Sequence, residues 1–306
     1  MRALAAAAVV MALAGGAAFA SGRIGRSPDP PGAPARGTAS RPSPYAGLGT
    51  WVDVYDWSRE FTGGHPVVGP ADVDSMAAAG VQTLFIQTAK AEDPGDLVDP
   101  DLLIAIVDRA RARGLRVVGW YAPTLVDEAA DLRRLLAAAS LGVDGVAVDI
   151  EVRDVGDVTL RNQRLISLSR GLRRALPGQW LGAVVMPPVL LDVVNPGYWP
   201  GFPWRELARS YDVWLPMSYS TERRRDSGWR DGYRYTVENV RRLREHLGRP
   251  HAPVHTISGL ADRLTRTDLE GTVRAAVETG AVGASLYDWR STGAVAWPFL
   301  RPLRRP

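Results

Sequence analysis

VDGVAVDIEV, residues 143 to 152, ends an apolar run in two acids. Valine, alanine and isoleucine make it a strand buried on both faces, the kind a parallel sheet uses. Asp144 and Gly145 open it, and Asp149 and Glu151 close it. Side chains two apart on a strand share a face, so the two carboxylates stand side by side. Burying either one is costly, and each makes the other harder to ionise. The strand is therefore expected to end at the rim of a site.

The same rhythm recurs outward from this strand. Apolar runs lie at 49–57, 80–88, 114–122, 142–151, 180–187, 211–219, 252–258 and 280–289. Between them, 101–114, 127–142, 158–178, 235–248 and 267–280 carry apolar residues at helical spacing, and most end in glycine. Strands alternating with helices predict a parallel sheet, and eight such units predict a (β/α)8 barrel over residues 48–306. The rival is an open doubly wound sheet. No G-x-G-x-x-G follows the first strand to support it. A barrel places its site at the C-terminal ends of the strands.

Acids and aromatics gather at those ends. The candidate substrate-binding residues are Asp53, Tyr55, Gln87, Lys90, Tyr121, Met186, Met217, Asp288 and Trp289. Aromatic faces suit the C–H faces of pyranose rings, and acids suit hydroxyl groups. Trp120 and Trp214 read as core. No P-loop, G-x-S-x-G or H-E-x-x-H is present, and His65, His246, His251 and His255 lack ligand spacing. No metal and no cofactor are expected. His255 reads as a satisfied core histidine.

A carboxyl group kept protonated near neutral pH is a general acid. The pair suits that chemistry if Glu151 protonates a glycosidic oxygen while Asp149 stays charged. The structural alternative is a pair that caps loop amides or binds Arg153.

DGVAVDIE at 144–151 resembles the fourth-strand signature of glycoside hydrolase family 18, the chitinase family, D-G-x-D-x-D-x-E. Ala147 replaces the middle Asp. The family's sixth strand ends in M-x-Y-D; here MSYS keeps Met217 and Tyr219 and puts Ser220 last. Trp289 stands where the family's eighth-strand Trp is expected. The resemblance implies a retaining, substrate-assisted glycosidase in which the substrate's N-acetyl oxygen attacks the anomeric carbon. Glu151, Asp149 and Tyr219 would be catalytic, the last two holding the acetamido group. GTWVDVYDW at 49–57 and the Asp-x-Glu pair also resemble, more loosely, family 25 lysozymes. Both families act on polymers of N-acetylated amino sugars, such as chitin or peptidoglycan. A carbohydrate-binding barrel without catalysis is the alternative.

The rest of the chain sets the context. Residues 1–20 have the form of a signal peptide, with an uncleaved membrane anchor as the alternative. Residues 21–47, rich in Pro, Gly, Ser and Arg, read as a flexible linker. The expected location is secreted or cell-surface, with cell-wall or membrane-surface contact through this segment. Residues 1–47 hold five arginines and one acid, so totals of 37 basic and 33 acidic residues leave 32 of each in the barrel. A balanced barrel excludes a nucleic-acid reader, and a monomer is expected. The chain has no cysteine and hence no disulfide. Lys90 is its single lysine, which marks it for a specific role.

Overall fold

The computed structural model describes residues 43–305. The expected signal peptide and most of the expected linker lie outside them.

Eight parallel strands close a barrel in which each pairs with its sequence neighbour and the first with the last. They are β1 (Gly47–Val52), β2 (Thr83–Gln87), β3 (Arg116–Tyr121), β4 (Gly145–Ile150), β5 (Trp180–Val185), β6 (Val213–Ser218), β7 (His255–Leu260) and β8 (Gly283–Tyr287). Outside them run α1 (Val54–Trp57), α2 (Pro70–Ala79), α3 (Pro100–Ala112), α4 (Glu128–Ser140), α5 (Val158–Ala175), α6 (Trp204–Leu207), α7 (Gly232–Leu247), α8 (Arg266–Glu278) and α9 (Trp297–Leu300). Side chains start four of the longer helices. Asp127, Asp157, Asp231 and Thr265 each accept a backbone N–H in the first turn of α4, α5, α7 and α8. None of the described helices is long and apolar enough to cross a membrane.

Two apolar layers follow from strand alternation. Outward side chains such as Leu84, Ile86, Val117 and Val146 pack under the helices. Inward ones, among them Trp51, Phe85, Val118, Trp120, Ala147, Val184 and Leu215, fill the barrel. His255 is also inside, with its ring nitrogens 2.8 Å from the Tyr45 carbonyl and 2.9 Å from Ser285 Oγ. Burial lowers its pKa to about 4, so it is a neutral core residue.

Three sequence expectations are corrected here. The first strand stops at Val52, because the Asp53 side chain accepts the Tyr55 N–H at 2.9 Å and turns the backbone into α1. The segment 54–57 is therefore helical. Helix α2 was not foreseen; Pro70 starts it and left-handed Gly80 ends it.

The barrel also begins before residue 48. Tyr45 is fully buried at the foot of the barrel and donates to the Val146 carbonyl at 2.8 Å. Gly182 makes room for it, since a Cβ there would lie 2.6 Å from the ring. Thr83 Oγ1 donates to the Pro44 carbonyl at 2.8 Å, and Arg116 Nη2 to that of Ala46 at 2.6 Å. The last residues of the expected linker are thus part of the fold. Losing a buried aromatic costs about 3–5 kcal/mol. A chain starting at residue 48 should therefore melt on the order of 10 °C below one starting at Ser43. Equal melting temperatures in thermal scans would show that Tyr45 contributes nothing.

Candidate active site

Asp149 and Glu151 end β4 on its inward face, as the alternation requires. Ala147 is the inward residue below them, and Val184 on β5 sits in register with Asp149. This apolar floor leaves Asp149 about 8% exposed, with Oδ1 buried and unpartnered. Burial, reinforced by the Glu151 charge, raises the Asp149 pKa well above the usual carboxylate range. Burial raises Glu151 as well, but Lys90 opposes that rise. The pair therefore shares a proton at pH values where an ordinary carboxylate is ionised.

Tyr219, just beyond β6, faces the pair. Burial first, then the charges of Asp149, Glu151 and Asp288, hold its phenol far above its usual pKa, so it is a donor. Its ring centre is 6.1 Å from that of Tyr287, the last inward residue of β8. The Tyr287 hydroxyl donates to Asp53 Oδ2 at 2.7 Å. Met186 and Met217 complete the floor beside Trp51 and Trp120. The Trp120 indole N–H is buried and unpartnered.

Asp53, Asp56 and Asp288 bring carboxylate oxygens within 4.8 Å of one another on the β1–β8 side. Burial, then Asp53 and Asp288, push Asp56 up to about 7, against the pull of Arg290. The cluster is largely self-partnered. Arg290 donates to Asp56 at 3.0 Å, the Ser291 N–H to Asp288 at 2.8 Å, and Tyr287 and the Tyr55 N–H to Asp53. Tyr55 stands exposed at the rim, with Lys90 Nζ 5.5 Å from its ring centre.

Three expected binding residues are not free at the mouth. Tyr121 points outward from β3, where its hydroxyl donates to Asp131 of α4 at 2.7 Å; the inward residue there is Trp120. Gln87 is buried with its amide engaged, accepting the Val54 N–H at 3.1 Å and donating to the Ala89 carbonyl at 3.3 Å. It ties the first two strand ends together. Trp289 packs on Trp297, ring centres 5.1 Å apart, and lines an outer groove with Ser75 and Ala79 of α2. Tyr287 takes the inward place expected of it.

Tyr198 was missed. It follows β5 in the stretch NPGYWPGFPW (195–204), and its hydroxyl donates to the Glu151 carbonyl at 3.2 Å. The Arg153 guanidinium lies 4.1 Å from its ring centre. The aromatic density of that stretch was the available signal. For Tyr287 the signal was its alternation with Gly283 and Ser285.

No protein-family model matches the sequence, and no curated protein does. The fold resembles that of family 18 chitinases. The GH18 chitinase of Pseudoalteromonas aurantia superposes with a TM-score of 0.53 at 14% identity, over 84% of this chain and 98% of that one. The spore cortex-lytic enzyme SleL of Bacillus cereus gives 0.61 at 10% identity, over 85% and 74%. An endo-1,4-β-D-mannanase of Thermotoga petrophila gives 0.55 at 9%, over 79% and 88%. Identities this low establish the barrel architecture. That a mannanase is among the neighbours shows why the chemistry has to be argued from the site. The looser family 25 resemblance is not carried by these structures.

Proposed function

We propose that the chain is a retaining glycosidase acting on a polymer of N-acetylated amino sugars, such as chitin or peptidoglycan. The observation that carries this reading is the Asp149–Glu151 pair at the barrel mouth, two adjacent carboxyls both raised by burial and faced by Tyr219. When an acetamido group enters, its N–H donates to Asp149 and favours that carboxylate, so the shared proton passes to Glu151. Glu151 then protonates the glycosidic oxygen as the C1–O bond breaks, and the acetamido oxygen closes on C1. Tyr219 holds the acetamido carbonyl. In the second half Glu151 takes a proton from the water that opens the ring intermediate. Asp53, Met186, Met217, Tyr287 and Tyr55 line the path of the sugar chain. The N-terminal segment would carry the domain out of the cell and hold it near the wall or membrane surface.

The test is incubation with chitin oligomers and peptidoglycan, with products read by mass spectrometry and reducing-end assay. Release of fragments with a retained anomeric configuration supports the reading; inverted products overturn the mechanism. Ala147 and Ser220, where the family has acids, favour a second reading, a barrel that binds such polymers without cutting them. That reading requires retention on insoluble polymer with no reducing ends released.

A further inference from the structure

The connection from β4 into α5 carries two arginines at the mouth end of the barrel, Arg153 just after Glu151 and Arg161 early in α5. Each lies over an aromatic ring of the chain that follows β5. The Arg153 guanidinium carbon is 4.1 Å from the centre of the Tyr198 ring, and that of Arg161 is 4.2 Å from the centre of the Trp199 ring. The rings belong to consecutive residues, so one short stretch of chain holds both cations. Asn162, next to Arg161, grips the same stretch: it accepts the Trp199 indole N–H at 2.7 Å and donates to the Gly201 carbonyl at 2.9 Å. The Tyr198 hydroxyl donates to the Glu151 carbonyl at 3.2 Å, which ties the stretch to the end of β4.

Neither arginine is neutralised by an acid among the described residues. Arg153 is exposed, and its Nη1 donates to the Tyr198 carbonyl at 3.4 Å. Arg161 is only about 3% exposed, and its Nε is buried without a partner. A buried arginine is ordinarily paired, because an uncompensated buried charge is costly. The far end of the same helix shows the ordinary arrangement. Arg173 is also buried, but its Nη2 donates to Asp212 at 2.5 Å, its Nε to the Ser210 carbonyl at 2.9 Å and its Nη1 to that of Gln179 at 2.9 Å. Arg161 is instead held against its own burial and against the charge of Arg153, both of which lower its pKa.

We infer that Arg153 and Arg161 form an anion subsite beside Glu151, which takes a carboxylate carried by the polymer. The inference rests on the glycosidase reading above and narrows its substrate class to acid-bearing amino-sugar polymers such as peptidoglycan; chitin is neutral. A guanidinium presents a planar fork that matches a carboxylate. Seating on Tyr198 and Trp199 fixes both guanidinium groups in advance, so little side-chain freedom is lost on binding. The carboxylate belongs either to a lactyl group on the sugar or to the peptide that the sugar carries.

Binding is measured by calorimetry on the full chain carrying Glu151→Gln, so that nothing is cut. The probes are chitin oligomers, peptide-free glycan strands that keep their lactyl carboxylates, and soluble peptidoglycan fragments that keep their peptides. An acid-bearing probe should bind about tenfold tighter than a chitin oligomer of equal length. That preference should shrink as salt is raised. Preference for the peptide-free strand assigns the lactyl carboxylate, and preference for the peptide-bearing fragments alone assigns the peptide. Arg153→Gln and Arg161→Met, each added to that chain, should remove most of the preference. Arg153 stands in solvent, so its variant keeps the fold. Arg161→Met keeps an apolar stem and takes away an unpaired buried charge, so this variant should melt no lower than its parent, whereas loss of a structural arginine would cost stability. Equal affinity for neutral and acid-bearing probes, or a preference that survives both substitutions, would overturn the subsite and leave the glycosidase reading standing. Binding of none of the probes would overturn both.

Discussion

Glu151→Gln should lower turnover at least about a hundredfold, the lower range for losing a general acid. Glutamine keeps the shape of the side chain and has no carboxyl proton to give. Glu151 is half-buried at the mouth, and glutamine matches its size, so the change disturbs little packing. Substrate affinity, measured by calorimetry, should survive. The pH profile provides a sharper check. Burial raises the Glu151 pKa, so the protonated acid persists above the ordinary carboxylate range and the parent loses activity as pH rises through that raised value. The variant has no such group, and its residual rate should lack that limb. An aryl glycoside, whose leaving group needs little protonation, should close most of the gap. A variant that cuts the polymer as fast as the parent removes Glu151 from the mechanism.

The barrel was legible because its signal is repeated. Eight apolar runs separated by helical stretches leave little choice of architecture, and the end of β4 names its own acids. What failed was local. Period two places Tyr55 on a strand only if the strand continues, and the Asp53 side chain ends it by accepting a backbone N–H. Tyr121 sits one residue out of phase with the inward face, where a single step exchanges mouth for exterior, whereas Trp289 keeps the parity of Tyr287 but lies beyond the end of β8, where the alternation no longer holds. Their neighbours Trp120 and Tyr287 hold the inward places, and the alternation in VVGWY and GASLY gave that phase. Gln87 does end β2, but its amide is taken up inside the fold by a long-range bond from the Val54 N–H that no spacing reveals. Tyr45 was hidden for another reason. Its segment has a linker's composition, and only the glycines of β4 and β5 show that a ring fits beneath them. Tyr198 lies on a connection, where side-chain direction has no period to read.

Asp149→Asn should lower activity severely, by about two to four orders of magnitude, at every pH. If Asp149 were only a like-charged neighbour, removing its charge would lower the Glu151 pKa. The alkaline limb would then shift down, with a modest loss at the optimum. Orienting an acetamido nucleophile is a different task. It needs an ionised acceptor at Oδ1, an atom that is buried and has no hydrogen-bond partner in the fold. An asparagine offers a weaker, neutral acceptor and an N–H₂ that can face the wrong way. The other carboxylates give no substitute nucleophile, since Asp53 and Asp288 already accept bonds from Tyr287, Tyr55 and Ser291. Stability should move the opposite way. The folded pKa of Asp149 is raised above its unfolded value by burial, so its protonated form stabilises at low pH. That contribution is lost as pH rises through the raised value. Asparagine has no proton to lose, so near neutral pH the variant should melt above the parent, and the difference should shrink as pH falls toward the ordinary carboxylate range. Thermal melts across that window, run beside the rate profile, separate the two effects. A variant that is inactive and also less stable at neutral pH would mean that Asp149 supports the fold rather than the reaction. A covalent glycosyl adduct trapped on Asp53 or Asp288 would replace substrate assistance with an enzyme nucleophile while keeping Glu151 as the acid.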